Sequence, residues 1–258
     1  MCRRETGVRG NILSLLELFR LFHKRVRLNA NIGEKNDSVS ENFTLQASMP
    51  NIIFENLQGF ASSRKTKKPQ RSDGSPIPWY TYPAIEYLDQ IDFSGLKIFE
   101  YGCGQSSLYF ADRGALVWSV DHDEDWYIDV KSRILKNNKS LLLRKEKASY
   151  AGSITESGER FDIIIIDGIW RNECIEVALP YLQTNGIILL DNSDWYTDVS
   201  DTLKQKGFFQ IDFNGFGPCN DYCWTTSLLF KKLPVISGHL SHPKPIGGII
   251  PESKGDKW

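Results

Sequence analysis

The sequence predicts an α/β fold with a doubly wound, mostly parallel sheet of seven strands. Strand-like and helix-like segments alternate from Pro78 onward, which is typical of sheets whose strands are joined by crossover helices. The runs "FDIIIID" (161–167) and "GIILLD" (186–191) are almost continuously apolar, as expected for strands covered on both faces. The last two strand-like segments have no helix between them, so we expect them to pair antiparallel.

Each predicted element has a local signal in the sequence. The strands are short apolar runs bounded by turn residues, and the helices end at residues that commonly stop a helix. A helix around 172–184 contains Pro180, where we expect a bend, and Gly186 is expected to close it. In chain order, the predicted helices are 83–90, 106–112, 124–135 and 172–184, and the predicted strands are 96–101, 115–120, 140–144, 161–167, 186–191, 208–213 and 224–232.

Two flanking segments are predicted to lie outside this domain, which we place at residues 76–232. Residues 1–75 are expected to form an N-terminal extension with an amphipathic helix within 11–28, which could contact a partner or a second copy of the chain. Residues 62–76 are basic and rich in turn residues, so they predict a polar linker or an exposed loop. Residues 233–258 form a Pro/Gly-rich tail that is expected to be irregular.

The composition is that of an ordinary globular protein. Of the 258 residues, 41% are hydrophobic, and the net charge is −1, whereas nucleic-acid binding usually brings a basic excess. We therefore expect no nucleic-acid partner. No run of about 18 uncharged apolar residues is present, so no transmembrane segment is expected. Five scattered cysteines indicate reduced thiols rather than a disulfide framework, and with the other features they predict a cytoplasmic protein.

A glycine pair follows the first predicted strand, where open α/β sheets bind their ligands. A dinucleotide fingerprint has the pattern G-x-G-x-x-G, but here Gly102 and Gly104 are followed by Ser107 at the third position. There is also no G-K-[ST] sequence to hold phosphates. The loop therefore does not predict a phosphate-binding site.

Acidic residues near the glycine pair indicate a different ligand. Glu100 ends the first strand, where a carboxylate would repel a pyrophosphate but suits a ligand ammonium group. Asp121 ends the second strand, where a carboxylate can accept hydrogen bonds from a ribose diol. An ammonium group and a ribose without a phosphate describe S-adenosyl-L-methionine (SAM).

These motifs together resemble the class I SAM-dependent methyltransferases. "EYGCG" (100–104) resembles their first motif and "VDHD" (120–123) the second, while Ser106 stands in place of the usual third glycine. "FDIIIIDG" and "WTTSLLFKK" resemble their fourth strand and their antiparallel last strand. The resemblance covers about residues 78–232 and implies a Rossmann-like fold and a methyltransferase activity.

The resemblance also implies a set of residues around SAM. The glycine loop would contact its methionine part, Asp121 its ribose and His122 the adenine edge, while two tyrosines before the first strand would close one side of the pocket. For Asp121, the alternative is that it caps the following helix. The implied cofactor residues are Glu100, Gly102, Cys103, Gly104, Asp121, His122, Asp167, Tyr80 and Tyr82.

The acceptor side resembles the catechol-type O-methyltransferases. Asp167 follows strand four, and Asp191 and Asn192 follow strand five, which is the pattern of a divalent metal site in those enzymes. The resemblance implies that these three residues hold Mg²⁺ and that Asp167 and Asp191 are catalytic. The alternative is that the residues after strand five cap the next helix and that Asp167 acts alone as a polar anchor or base.

Three residues are predicted to contact a small-molecule acceptor: Arg171, Asn192 and Trp195. The Arg171 guanidinium could clamp an acceptor carboxylate or phosphate, or it could pair on the surface with Glu173 or Asp194. The loop 215–224 is also well placed to touch an acceptor. The expected function is methylation of a small molecule, at oxygen rather than at nitrogen if the metal is present. The alternatives are an aminopropyl-transferase-like enzyme and a non-catalytic module that recruits a partner through its N-terminal helix.

Overall fold

A computed structural model describes residues 58–236 and Ile246 of this chain. The predicted amphipathic helix at 11–28 and most of the predicted C-terminal tail lie outside the described residues. No helix within the described part is both long enough and apolar enough to cross a membrane.

The sheet has the predicted seven strands, in the order β3-β2-β1-β4-β5-β7-β6. Neighbouring strands among β1 to β5 are parallel, whereas β7 runs antiparallel to both β5 and β6. The doubly wound, mostly parallel sheet with an antiparallel end is thus confirmed. The strands are β1 (Lys97–Tyr101), β2 (Leu116–Asp121), β3 (Asn138–Leu143), β4 (Phe161–Ile166), β5 (Leu182–Leu190), β6 (Phe209–Gly215) and β7 (Trp224–Phe230).

Helices cover both faces of the sheet, so the isoleucine side chains of β4 are buried on each side. Ile163 and Ile165 belong to the core on the face of α2 and α3, whereas Ile164 and Ile166 belong to the core beneath α5, α6 and α7. Successive strand residues point to opposite faces, so a strand buried on both sides needs an apolar residue at each position. The helices are α1 (Phe60–Thr66), α2 (Tyr82–Leu88), α3 (Gln105–Asp112), α4 (Glu124–Ser132), α5 (Lys147–Gly152), α6 (Arg171–Ala178) and α7 (Thr197–Gln205).

The predicted helix at 172–184 is too long. Helix α6 ends at Ala178, a 3₁₀ turn spans Leu179–Tyr181, and β5 begins at Leu182. Pro180 accounts for the early end of the α-helix, because proline has no N–H to donate to the carbonyl oxygen one turn earlier. Gly186 does not close the helix but lies inside β5, where a Cβ atom would come within 3.0 Å of the Asp162 carbonyl oxygen.

The predicted linker at 62–76 is folded against the domain. Helix α1 overlaps its first part, and a β-bridge joins Gln70 to Pro76. Two of its basic side chains pair with acidic residues of the domain, the first being Lys68, which lies 2.5 Å from Asp129 of α4. Arg71 likewise pairs with Asp89. A basic segment that the sequence predicts to be exposed can therefore pack on the domain when carboxylates lie opposite it.

The chain runs outward from β1 to β3 and then returns to β4 on the other side of β1. The strand order thus reverses between β1 and β4. In open α/β sheets a crevice forms at such a point, beyond the carboxyl ends of the strands, because the loops on either side diverge. This crevice positions the candidate site.

Candidate functional site

A cleft of about 350 Å³ lies at the carboxyl ends of the strands where their order reverses. This volume is within the range of small-molecule sites. Its lining comes from the loops that follow β1, β2, β4 and β5, from the loop before β7 and from the segment before α2. The lining residues are Pro69, Trp79, Gly102, Cys103, Gly104, Gln105, Ser106, Asp121, His122, Trp126, Asp167, Gly168, Ile169, Asp191, Asn192, Trp195, Asn220, Tyr222 and Trp224.

The two glycines of the loop after β1 have different structural surroundings. Gly102 has a φ of 97°, and a Cβ atom there would lie 2.7 Å from the Asp167 carbonyl oxygen. Glycine at this position therefore lets the loops after β1 and β4 come together. Gly104 has extended backbone, and the nearest atom to a Cβ built on it is Ser106 Oγ at 3.9 Å. The space beside Gly104 is open cleft.

Asp121 joins the loop after β1 to the end of β2. Its Oδ2 accepts a hydrogen bond from the Cys103 amide at 2.7 Å, and its Oδ1 accepts from the amides of His122 and Asp123 at 2.7 and 2.8 Å. The Cys103 thiol and His122 Nδ1 also contact this carboxylate, the latter at 3.2 Å from Oδ1, and the side chain lines the cleft. Burial raises the pKa of Asp121, against the lowering effect of these amides.

The alternative that Asp121 caps the following helix is wrong. Asp123 caps α4, because its side chain accepts hydrogen bonds from the amides of Asp125 and Trp126. Asp121 lies two residues earlier and faces the cleft. His122, also predicted for the cofactor set, lines the cleft beside it.

Glu100 lies behind the glycine loop rather than in the cleft. Its side chain is fully buried, and its Oε2 accepts hydrogen bonds from the hydroxyls of Ser107 and Ser119. Ser107 Oγ in turn accepts a hydrogen bond from the Gly104 amide at 3.2 Å. Burial raises the pKa of Glu100 to about 8. The expected direct contact with a ligand ammonium does not fit this position; Glu100 instead supports the loop through Ser107.

The predicted closing tyrosines are also behind the cleft. Tyr80 and Tyr82 belong to the buried core on the α2 side of the sheet, and neither lines the cleft. Trp79 takes the expected place, with Trp126 of α4 beside it at 6.2 Å between ring centroids. In "PWYTY" the sequence shows several large aromatic residues, but it does not show which of them turns away from the core.

Arg171 is buried, and its hydrogen bonds link the loops after β4 and β5. Its Nε donates to the Gly168 carbonyl oxygen at 2.8 Å, and its Nη1 donates to the Asp191 carbonyl oxygen. Its Nη2 lies 3.3 Å from Asp167 Oδ1 and 3.2 Å from Asn192 Oδ1. Because its donors point into the protein, Arg171 is not placed to clamp an acceptor. Its pairing also differs from the surface alternative, in which Glu173 or Asp194 would be the partner.

Asp167 and Asp191 face the cleft from neighbouring strand ends. Burial raises the pKa of Asp167 to about 7, although the Arg171 guanidinium opposes the shift. Burial also raises the pKa of Asp191, and the nearby charge of Asp167 adds to this effect. Asp191 Oδ1 accepts hydrogen bonds from Trp224 Nε1 at 3.1 Å and from the Thr226 hydroxyl. The surroundings of both carboxyl groups thus favour their neutral forms.

The residues after β5 do not cap a helix. Helix α7 begins at Thr197 and its N-cap is Tyr196, whereas Asp191 and Asn192 lie in the preceding turn. Asn192 has a φ of 50°, a backbone conformation that asparagine tolerates better than most residues. The capping alternative is therefore wrong for these two residues.

Asp167, Asp191 and Asn192 do not fit a divalent metal ion. The cationic Arg171 guanidinium occupies the space beside the Asp167 and Asn192 oxygens, and Asp191 Oδ1 is taken by two hydrogen-bond donors. A hard cation needs several oxygen ligands free of such donors. Among the described residues, no group of three or more His, Cys, Asp or Glu side chains is arranged to hold a metal ion.

The loop before β7 contributes to the cleft as the sequence predicted. Asn220, Tyr222 and Trp224 line it, and Trp195 lies next to Tyr222. Gly168, which directly follows Asp167, also lines the cleft and is not among the predicted site residues. A Cβ atom on Gly168 would lie 2.0 Å from the Tyr150 hydroxyl, so only glycine fits there. The other lining residues that the sequence analysis missed are Pro69, Trp79, Gln105, Ser106, Trp126 and Ile169.

No protein-family model matches the chain, and no curated protein matches it. Solved structures similar to it include a candidate caffeoyl-CoA O-methyltransferase from Staphylococcus aureus, with 13% identity, a TM-score of 0.48 and coverage of 83% of this chain and 100% of that one. Magnesium protoporphyrin IX methyltransferase from Synechocystis with bound SAM shares 16% identity, with a TM-score of 0.41 and coverage of 57% and 75%. An rRNA methylase from Streptococcus thermophilus shares 16% identity, with a TM-score of 0.43 and coverage of 58% and 96%.

The fold itself is given by the sheet. Its strand order, β3-β2-β1-β4-β5-β7-β6 with β7 antiparallel, is the seven-stranded Rossmann-like arrangement that the resemblance to class I methyltransferases implied.

Proposed function

We propose that this chain is a SAM-dependent methyltransferase that methylates a hydroxyl oxygen of a small-molecule acceptor. One observation carries the proposal: the cleft offers open space at Gly104, and the Asp121 carboxylate at the end of β2, which accepts the amide of the neighbouring Cys103, lines the same cleft. A ligand seated there meets bare backbone on one side and an acceptor for ribose hydroxyls on the other.

The cofactor half of the cleft fits SAM better than a dinucleotide. The loop lacks the third glycine of the dinucleotide fingerprint, and no lysine or arginine lines the cleft among the described residues. A pyrophosphate would therefore lie next to Asp121 without a cation to balance it. SAM carries no phosphate, and when bound it supplies an electrophilic methyl group on a sulfonium centre.

The acceptor half supplies a base. Asp167 lines the cleft after β4, adjacent to the glycine loop, and its pKa of about 7 leaves a large ionised fraction at neutral pH. A carboxylate so placed can take the proton of an acceptor hydroxyl as that oxygen attacks. Arg171 keeps the carboxylate in position through its contact with Asp167 Oδ1. The remaining task of the protein is to hold the oxygen in line with the methyl group.

Titration calorimetry tests the cofactor step. We expect the purified chain to bind SAM and its demethylated product, S-adenosylhomocysteine (SAH), with similar affinity, because both present the same ribose and amino-acid groups. NAD is the matched competitor for a phosphate-binding loop. Binding of NAD but not of SAM would contradict the proposal.

The same titration distinguishes a methyltransferase from an aminopropyl-transferase-like enzyme. Glu100 lies behind the loop, so its charge does not select between SAM and decarboxylated SAM. Both compounds are therefore titrated. A clear preference for the decarboxylated form would favour aminopropyl transfer instead.

Asp121→Asn is expected to weaken SAM binding about 5- to 150-fold, which corresponds to the loss of a charged hydrogen bond of about 1–3 kcal/mol. The amide group keeps the size of the side chain but replaces one acceptor oxygen with a donor. The change is measured by calorimetry, with thermal unfolding to confirm that the variant folds.

Asp123→Asn is the matched control for Asp121→Asn. Asp123 carries a carboxylate two residues away, but it caps α4 and does not line the cleft. Its substitution should lower stability by at most about 1 kcal/mol and leave SAM affinity unchanged. Equal losses of SAM affinity in both variants would argue against Asp121 as a ligand contact.

A further inference from the structure

Three aromatic side chains form a row from the surface into the cleft. The ring centroids of Trp195 and Tyr222 are 5.9 Å apart, and those of Tyr222 and Trp224 are 5.8 Å apart. Trp195 is 56% exposed and Tyr222 46% exposed, whereas Trp224 is buried and donates its indole N–H to Asp191. We call Trp195, Tyr222 and Trp224 the aromatic row.

The sheet order separates the aromatic row from the cofactor half of the cleft. Asp121 ends β2, while Trp195 follows β5 and Trp224 begins β7. Between β2 and β5 lie β1, with the glycine loop, and β4, with Asp167. A ligand at Asp121 and Gly104 therefore leaves the aromatic row free, and Asp167 lies between the two.

Charges around the aromatic row are acidic. Asp167 and Asp191 line the cleft beside it, and the exposed Asp221 directly precedes Tyr222. The nearby cation, Arg171, is buried and directs its hydrogen bonds to Gly168, Asp167, Asp191 and Asn192. No lysine or arginine lines the cleft in the part of the chain that the structure describes. An acceptor with a phosphate or carboxylate would therefore find no lining cation to bind it and would be repelled by Asp221.

Resting on the proposed function, we propose that the aromatic row is the acceptor subsite and that it selects acceptors carrying an ammonium group. The faces of tryptophan and tyrosine attract a cation through the ring quadrupole, and the exposed Asp221 carboxylate next to Tyr222 adds to that attraction. Trp195 and Tyr222 present exposed ring surface at the mouth of the cleft, where such a group would first bind. The acceptor hydroxyl then reaches inward to Asp167.

Three probes with the same ring and different charge test the charge selection: benzyltrimethylammonium, benzyl alcohol and benzoate. Each is titrated by calorimetry into the full chain saturated with SAH. We expect the cation to bind about 3- to 30-fold more tightly than the alcohol, which is the range of a cation–π contact, and benzoate to bind most weakly. Equal affinity for the cation and the alcohol, or tightest binding of benzoate, would overturn the inference.

Variants of the aromatic row test its position. Trp195→Ala and Tyr222→Ala should each remove most of the preference for the cation, whereas Trp195→Phe should keep part of it. Phe209→Ala is the matched control, because Phe209 is an exposed aromatic residue on the edge strand β6 and does not line the cleft. If Trp195→Ala and Tyr222→Ala keep the full preference, the aromatic row is not the subsite.

The two proposals fail in different ways. If the chain binds SAH but none of the three probes, the acceptor subsite is wrong and the cofactor assignment stands. If it does not bind SAH, the proposed function is wrong, and the probes are then titrated without SAH. A cation preference that depends on Trp195 in that titration supports the subsite on its own, and its absence overturns the subsite as well.

Discussion

Gly104→Val is expected to abolish SAM binding and leave the protein folded. The Cβ position of Gly104 has no atom nearer than Ser106 Oγ at 3.9 Å, so a side chain can begin there without a clash in the free protein. Its branched side chain would fill the open space that the ligand needs. At a SAM concentration of about 100 times the wild-type dissociation constant, the wild type gains about 2.7 kcal/mol of stability, and the variant should gain none. Thermal unfolding with and without SAM measures both effects.

Gly102→Ala is the matched control, because the second glycine lies two residues away in the same loop. Its φ of 97° and the 2.7 Å approach to the Asp167 carbonyl oxygen make any side chain strained. We expect this variant to lose about 1–3 kcal/mol of stability even without ligand. A stable Gly104→Val variant that still binds SAM would show that the cofactor does not lie against this loop.

The sheet could be predicted from the sequence because its signals are local. The apolar runs of β4 and β5 require burial on both faces, and the missing helix between β6 and β7 requires an antiparallel pair. The end of α6 was predicted less well, since the sequence shows Pro180 but does not show whether it bends the helix or ends it. In the structure the helix ends, and the strand β5 begins at Leu182, whose side chain packs into the core.

The site could be placed from the sequence, but the directions of its side chains could not. Strand ends show that Glu100, Asp121, Asp167 and Asp191 share one edge of the sheet. Whether a carboxylate then faces the ligand depends on its neighbours: Glu100 turns toward Ser107 and Ser119, which lie on other elements. Arg171 likewise turns inward to backbone carbonyl groups that no sequence pattern marks.

The position of Arg171 explains why the predicted metal site does not fit the structure. Two acids and an amide at adjacent strand ends resemble a set of oxygen ligands in the sequence. In the structure a guanidinium placed four residues after Asp167 lies beside two of the same oxygens. A cation supplied by the protein thus stands where the resemblance implied a metal ion.

Asp167→Asn is expected to lower kcat by about 10²- to 10⁴-fold, the usual contribution of a general base. The amide keeps the shape of the side chain and can still contact Arg171, but it cannot take up the proton of the acceptor hydroxyl. SAM affinity should change little, because Asp121 and the glycine loop hold that ligand. Turnover is measured as SAH release with tyramine, a phenol that carries an ammonium group.

The pH dependence tests the same residue. Because the base must be unprotonated and its pKa is about 7, the wild-type kcat should rise as the pH increases through about 7 and then level off. The residual rate of the Asn variant should lack this rise. The acidic or phenolic groups near Asp167 are all still present in the variant, where loss of the Asp167 charge removes one of the effects that raise their pKa. These groups are Glu100, Asp121, Asp191, Tyr80 and Tyr150.

The pH dependence of the free energy of unfolding reports the protonation of Asp167 without any acceptor. Its pKa is raised in the folded protein above its ordinary value of 3.8, so between that value and about 7 the folded state holds a proton that the unfolded state has released. The stability that depends on this proton is therefore complete below pH 3.8 and is lost as the pH rises toward 7. In Asp167→Asn this loss is absent, so the variant should gain stability relative to the wild type across that interval.

Glu173→Gln is the matched control for Asp167→Asn, because Glu173 is a carboxylate on the same stretch of chain that pairs with Lys147 on the surface. It should leave both kcat and its rise near pH 7 unchanged. The base assignment fails if Asp167→Asn keeps the wild-type kcat and pH profile while its stability shows the expected change. Asp167 would then titrate as predicted without taking part in proton transfer. In that case the acceptor would bind already deprotonated, or its reacting atom would carry no proton to lose.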